Sequence, residues 1–157
     1  MSTHVEIDVA VAQLGQAMGM ELKLDENRAC RLVFDEKLAV DIEAPEILES
    51  TLVMTCAFSK GVLPDNREAV YQLMLEANFF ARGTSGGVLA YDEDRQELVL
   101  QSMLVINRAD EHDILDVLER LLANAESWVE TLATTHSLGL GKSRDADYGG
   151  ASNMLSV

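Results

Sequence analysis

The sequence predicts a single α+β domain in which a twisted, mainly antiparallel sheet packs against helices in the order α-β-β-β-α-β-β-α. Two observations carry this prediction: three segments repeat apolar residues at the 3.6-residue helical period, and five short segments alternate apolar and polar residues. The chain has 157 residues, of which 48% are hydrophobic and 25% charged. That length and composition are typical of one folded domain with a sizeable core.

The first helix is predicted near the start of the chain. Thr3 and Glu6 have the spacing of a capping box, and Gly19 is suited to end the helix. Its apolar positions are Ile7, Val11, Leu14 and Met18. Val5, Val9 and Ala12 widen this apolar arc beyond what a single packing contact requires.

Three strands follow. Apolar residues alternate at Cys30, Leu32 and Phe34, then at Leu38, Val40 and Ile42 after an acidic turn at residues 35–37, and again at Leu52, Met54, Cys56 and Phe58. The first two strands form a hairpin with one apolar face. Both cysteines occupy apolar positions without a CxxC spacing, so we interpret them as buried structural residues.

The second helix is predicted to start at a capping box made by Asp65 and Glu68 and to end before Gly83. One apolar face comprises Val70, Leu73, Met74, Ala77 and Phe80, and a second stripe comprises Tyr71, Leu75 and Phe79. Packing of this helix against one sheet would bury the first face but not the second stripe. At this stage an ordinary core and a binding surface explain the surplus equally well.

The last hairpin and the last helix complete the domain. Strands are predicted at residues 88–91 and 98–105, and the second is apolar on both faces, as in a central strand or one covered by another chain. The last helix starts at Asp110 with the face Ile114, Leu118, Leu121, Ala125, Trp128 and Leu132. We predict a folded domain over residues 1–134 and a flexible tail over residues 135–157.

The net charge excludes two classes of partner. With 27 acidic and 12 basic residues the chain carries −15 at pH 7, which repels nucleic acid and anionic lipid. No run of about 18 apolar residues is present to insert into a membrane. The first residues lack the basic region of a secretory signal, so a cytoplasmic protein is expected.

The sequence offers no pattern for catalysis. His4, His112 and His136 have no partner at metal-ligand spacing, and the glycine-rich residues 83–87 lack the lysine of a phosphate-binding loop. We therefore expect no enzyme activity, no metal and no cofactor.

Several segments together resemble a known family. They are Leu24–Cys30 (LDENRAC), Val33–Asp35 (VFD), residues 61–66 (GVLPDN), Leu73–Phe79 (LMLEANF) and the glycine pair 86–87. In this order and spacing they resemble the class I type III secretion chaperones, the Tir chaperone family, over residues 5–132.

The resemblance implies a homodimer with the dimeric secretion-chaperone fold, which holds the N-terminal segment of secreted effectors without ATP. It implies a dimer interface at Tyr71, Leu75, Phe79, Val88 and Leu89. It implies apolar effector-binding patches at Leu14, Met18, Leu32, Phe34 and Leu38. The export ATPase is a possible further partner. A regulator that sequesters a transcription factor or an anti-activator is the alternative function, and a small enzyme is a remote one.

Overall fold

The computed structural model describes residues 3–59, 65–106 and 111–138. Its helices are α1 (Thr3–Ala17), α2 (Arg67–Asn78) and α3 (Glu111–Leu138), with a short 3-10 turn at Phe79–Ala81. Its strands are β1 (Ala29–Phe34), β2 (Leu38–Glu43), β3 (Thr51–Ala57), β4 (Val88–Asp92) and β5 (Glu97–Val105). The predicted order of three helices and five strands is confirmed.

The five strands form one antiparallel sheet in the order β1-β2-β3-β5-β4. Its register aligns one row of buried residues across all strands: Leu32, Val40, Cys56, Leu100 and Leu89. Because side chains alternate between faces along a strand, this row defines an inner face. The doubly apolar strand β5 lies inside the sheet, between β3 and β4.

The helices cover the inner face. Val11 and Leu14 of α1 and Ile114, Leu118 and Leu121 of α3 join the inner sheet residues in one core cluster. On the outer face Val53 and Val99 are also nearly inaccessible, yet both lie outside that core cluster. The outer face also carries exposed apolar side chains at Val33, Val88, Met103 and Val105. The sheet therefore has one buried and one partly exposed apolar face.

The predicted hairpin turn after β1 is confirmed. Asp35 and Glu36 have φ values of 49° and 57°, and the N–H of Lys37 donates to the carbonyl of Phe34 at 3.0 Å. Two successive residues with positive φ are the mark of a type I′ hairpin turn, whose twist matches that of the flanking strands. This turn fixes the position of the acidic tip next to β3.

Both ends of the second helix differ from the prediction. Asn66, not Asp65, is the N-cap, and its side chain makes no capping hydrogen bond. The helix ends at Asn78, and Phe80 has a φ of 55° and is 80% exposed, so the prediction that Phe80 faces the core is wrong. Helical spacing cannot reveal a chain that leaves the helix before the apolar pattern ends.

The end of α3 also differs from the predicted boundary. The helix continues to Leu138, so residues 135–138 of the predicted tail belong to it. The rest of that tail, residues 139–157, lies outside the described residues.

Candidate protein-binding surfaces

Exposed apolar side chains are present on α2, on the 3-10 turn that follows it and on β4, the strand that α2 contacts. We call this group the α2–β4 surface; its exposed members are Leu73, Leu75, Phe79, Phe80, Val88 and Tyr91. Leu75 is 72% exposed although it belongs to a helix with a buried face at Val70 and Met74. Several large apolar side chains left exposed on neighbouring elements are characteristic of protein-interaction sites.

Two contacts fix α2 against β4. The side-chain amide of Asn78 donates to the carbonyl of Leu89 at 3.0 Å and accepts the N–H of Leu89 at 2.9 Å. The rings of Tyr71 and Tyr91 pack with their centroids 6.3 Å apart. These contacts therefore hold α2 in a defined position relative to β4.

An aromatic pair projects from the 3-10 turn. The rings of Phe79 and Phe80 meet edge to face at 4.6 Å, and the guanidinium of Arg82 lies 5.3 Å and 5.9 Å from their centroids. A positive φ is uncommon for a bulky residue such as Phe80 and costs conformational free energy. The fold thus holds an exposed aromatic side chain in an unfavourable backbone conformation, which is characteristic of functional surfaces.

The predicted dimer residues lie on α2, on the 3-10 turn and on β4, and most of them have accessible side chains. Leu75, Phe79 and Val88 are exposed there, and Tyr71 is half-buried. Leu89 is 4% exposed because its side chain belongs to the inner row of the sheet. Leu89 contributes to this surface through its backbone bonds to Asn78, whereas its side chain packs in the core.

Among the described residues no strand pairs with the outer edge of β1, which we call the β1 edge. The N–H of Ala29 donates to Oδ1 of Asp25 at 3.0 Å, and the carbonyl of Ala29 accepts the N–H of Asp25 at 2.9 Å. Ala29 therefore directs its backbone groups away from β2. Because that direction alternates along an antiparallel strand, the backbone groups of Arg31 and Val33 also point to the open edge.

The predicted effector-binding residues are mostly buried. Leu14, Leu32 and Leu38 belong to the core cluster, and Leu14 has no accessible surface. Met18 and Phe34 are partly buried and pack against that cluster. Leu32 and Leu38 lie on the inner face of the sheet and Leu14 lies on α1, and in this conformation all three offer a partner almost no side-chain surface.

A groove that the sequence analysis missed lies between α3 and the β1–β2 turn. We call it the α3 groove; its volume is about 630 Å³ and it is lined by Glu36, Lys37, Leu38, Ala57, Phe58, Glu126, Val129 and Glu130. The lining residues come from three elements separated by as much as 94 positions in the chain. No sequence pattern joins them, although the exposed Val129 beside the apolar face of α3 is a weak indication.

The outer face carries an ion cluster formed by Arg31, Asp41 and Arg95. Arg31 binds both oxygens of Asp41, with Nε–Oδ1 and Nη2–Oδ2 distances of 2.6 Å and 2.8 Å. Nη1 of Arg95 adds a third contact to Oδ2 at 2.9 Å. The hydrogen bond from Arg31 is the main reason why the pKa of Asp41 lies below its usual value. This carboxylate is compensated inside the subunit.

Neither a membrane-spanning helix nor a metal-binding cluster is present among the described residues. Within residues 3–59, 65–106 and 111–138, no helix has the length and apolarity needed to cross a bilayer. The same part of the chain contains no group of three or more histidine, cysteine or acidic side chains placed to hold a metal ion.

Comparison with known proteins gives one family and several solved structures. The model of the Tir chaperone protein (CesT) family matches residues 10–129. A chain of the ExsC–ExsE complex is similar at 20% identity and a TM-score of 0.71, over 84% of this chain and 97% of that one.

Two further structures are similar to this chain. In the HopA1–SchA chaperone–effector complex the identity is 13% and the TM-score 0.69, over 83% of this chain and 98% of that one. The Yersinia pestis type III secretion chaperone SycH, in complex with a stable fragment of YscM2, is similar at 21% identity and a TM-score of 0.60. The similarity covers 76% of this chain and 97% of that one. These likenesses show the fold, and comparison with curated protein sequences gave no match.

Proposed function

Because the chain belongs to the Tir chaperone protein (CesT) family, we propose that it is a homodimeric chaperone that binds the N-terminal segment of a type III secretion effector. It keeps that segment unfolded, soluble and ready for secretion, and it does so without ATP and without an enzymatic step. The observation that carries the proposal is the presence of two separate features that need a partner, the α2–β4 surface and the β1 edge.

The α2–β4 surface is the proposed dimer interface. Its exposed members include two phenylalanines and a tyrosine, and aromatic residues dominate the energetics of stable interfaces. A two-fold contact places the same surface on both subunits, so each exposed aromatic pair is covered by its equivalent. The predicted residues Tyr71, Leu75, Phe79 and Val88 lie at this contact, with Leu89 behind it.

The β1 edge is the proposed first contact for the effector. The open backbone groups of Arg31 and Val33 accept an extended segment as a sixth strand, and backbone pairing tolerates many side-chain sequences. The side chain of Val33 is 65% exposed on the outer face beside this edge. Met18 and Phe34, the partly buried members of the predicted effector patch, are the proposed additional apolar contacts of the bound segment.

Charge keeps the loaded chaperone in solution. A chain with a net charge of −15 opposes self-association even when apolar segments are bound. We place the protein in the cytoplasm, where unexported effectors are present, and cell fractionation with an antibody against the chain tests that location.

Co-expression tests the function. The chain is produced together with tagged N-terminal segments of the type III effectors encoded in the same genome, and each segment is purified by its tag. At least one segment is expected to co-elute with two copies of the chain and to precipitate when expressed alone. Failure of every segment to retain the chain would reject the chaperone proposal.

A regulatory role is the second candidate, favoured by the likeness to a chain of the ExsC–ExsE complex. The same surfaces then hold a transcription factor or an anti-activator. The two candidate functions differ in the partner that the chain binds. A transcription factor or anti-activator has a DNA-binding or regulatory sequence and stays inside the cell, whereas an effector is secreted.

A further inference from the structure

We infer that the end of β5 is a second strand-pairing site, at which an effector segment binds as a short antiparallel strand. We call this site the β5 edge. The inference rests on the proposed chaperone function and adds a second contact, together with the side-chain pattern of the segment that is bound. Its basis is the stretch of β5 that extends beyond the start of β4.

The β5 edge begins where pairing with β4 stops. Val88, the first residue of β4, lies opposite Gln101, whereas β5 continues to Val105. The chain before β4 folds as a turn, in which the N–H of Gly87 donates to the carbonyl of Thr84 at 2.9 Å. Among the described residues, no strand therefore pairs with β5 beyond Gln101 on the β4 side.

The backbone groups of Met103 and Val105 point to the β5 edge. The carbonyl of Leu98 accepts the N–H of Phe58 at 3.0 Å, so Leu98 directs its backbone groups to the β3 side. Because that direction alternates along an antiparallel strand, Leu104 also points to β3, whereas Met103 and Val105 point the opposite way. These two residues can therefore exchange backbone hydrogen bonds with a guest strand.

The outer side of the β5 edge is apolar. Met103 is 56% exposed and Val105 is 45% exposed, and both side chains lie on the outer face of the sheet. Guest residues directly opposite them place their side chains on the same face, where cross-strand apolar pairs are favourable. The bound segment is therefore apolar at two positions separated by one residue.

The residue between those two positions faces the inner side, where a cavity lies between α3, the turn before β4 and the end of β5. Its volume is about 290 Å³, and its lining includes Ser102, Leu104, Arg120, Leu121 and Asn124. Thr84 also lines it, is 2% exposed, and has no hydrogen-bond partner for Oγ1. A buried polar atom without a partner is unfavourable. The cavity thus favours a polar guest side chain of moderate size, such as asparagine.

A single extended segment fits the β5 edge better than the sheet edge of a second folded copy. The open stretch has only two outward backbone positions, and both the turn before β4 and α3 line the cavity beside it. An unfolded segment can enter this space because it carries no neighbouring strand or helix of its own. Backbone pairing also tolerates varied sequences outside the central triplet.

Amide hydrogen exchange of the full chain, followed residue by residue in NMR spectra, tests the inference. The probe is the peptide Ser-Gly-Thr-Val-Asn-Val-Thr-Gly-Ser, whose valines are designed to lie opposite Met103 and Val105. A second peptide carries methyl groups on both valine nitrogens, which removes the two donors that pair with β5. The control peptide carries one methyl group on the asparagine nitrogen, which points away from β5.

The parent peptide should slow exchange at Met103 and Val105 at least about tenfold, because hydrogen-bonded amides are protected. The valine-methylated peptide should bind at least about tenfold more weakly, whereas the control peptide should stay within about threefold. Unchanged exchange at both amides, or equal binding of all three peptides, would overturn the inference. Slow exchange at both amides in the chain alone would also overturn it, since the β5 edge would then be occupied by this chain or by a second copy.

Two variants separate the β5 edge from the β1 edge. Met103→Glu places a carboxylate beside an apolar guest side chain, and Val33→Glu, at a position of similar exposure, does the same at the β1 edge. Protection of Val105 that is lost in Met103→Glu and kept in Val33→Glu supports the inference. Unchanged amide signals from β3 and α3 show that each variant is folded.

The effector complex separates this inference from the proposed function. An effector segment that co-elutes equally with wild type and Met103→Glu, and that protects Arg31 and Val33 but not Val105, overturns the β5 edge. That result leaves the chaperone function standing. A segment that protects Val105 and is retained less well by Met103→Glu supports both.

Discussion

Asn78 completes both backbone hydrogen bonds of Leu89 at the outer edge of β4. Its amide nitrogen lies 3.0 Å from the carbonyl oxygen of Leu89, and its amide oxygen lies 2.9 Å from the Leu89 nitrogen. One side chain thereby occupies the edge of β4 at the point where an incoming strand would otherwise pair. The two edge strands of the sheet therefore differ. At Leu89 the backbone groups of β4 are hydrogen-bonded to Asn78 of α2, whereas at Arg31 and Val33 the backbone groups of β1 point to the β1 edge.

Replacing Asn78 by Ala should lower the free energy of unfolding by about 1–3 kcal/mol, because two hydrogen bonds are lost and the backbone groups of Leu89 lose their partner. Urea denaturation followed by circular dichroism measures the change. Gln72→Ala is the control, since this exposed side chain donates a hydrogen bond to Glu76 on the same helix, and it should change stability by less than about 0.5 kcal/mol. Equal stability of wild type and Asn78→Ala would show that these two hydrogen bonds make no net contribution to the free energy of unfolding.

Leu75→Asp should dissociate the proposed dimer. A carboxylate in an apolar interface loses its hydration without gaining a partner, so the dimer dissociation constant should rise at least about thirtyfold. Sedimentation velocity at several concentrations measures it. Val33→Asp is the matched control, because Val33 is similarly exposed but lies at the opposite edge of the sheet, and it should leave the dimer intact. Unchanged assembly in Leu75→Asp would place the interface elsewhere.

Leu14→Ala should destabilise the whole subunit and therefore cannot report on effector binding alone. The side chain has no accessible surface, and large-to-small changes at such positions cost about 2–5 kcal/mol. Val9→Ala, on the same helix at 50% exposure, should cost less than about 1 kcal/mol. Thermal unfolding of the two variants gives the comparison, and similar melting temperatures would contradict the packing described for α1.

The ion cluster at Asp41 should make stability depend on acid pH. The pKa of Asp41 is lower in the folded chain than its usual value near 3.9, chiefly because Arg31 binds the ionised form. Its stabilising contribution is therefore fully present above that usual value and is lost as the pH falls through the folded value. The stability difference between wild type and Asp41→Asn should be constant from pH 5 to 7 and shrink below pH 4. Urea titrations at each pH test this, and a difference that stays the same at pH 3 would contradict it.

The order of elements was predictable because the patterns that encode it are local. Alternation at Leu38, Val40 and Ile42 specifies a strand with one buried face, and the structure places all three in the core. The ends of elements were less predictable. The helix ends at Asn78 because Phe79 has an extended backbone conformation, although the apolar pattern continues to Phe80, and only the three-dimensional structure reveals this end.

The amino-acid sequence by itself determined the fold, the family and the surplus of apolar surface, since periodicity and motif spacing are properties of neighbouring residues. Tertiary structure alone decided which apolar residues form the core: Leu14 is enclosed and Leu75 is exposed, although both lie on predicted helical stripes. It also brought Glu36 and Glu130 to one groove. The physical reason is that burial and charge proximity depend on which distant elements pack across the sheet, and no local pattern contains that information.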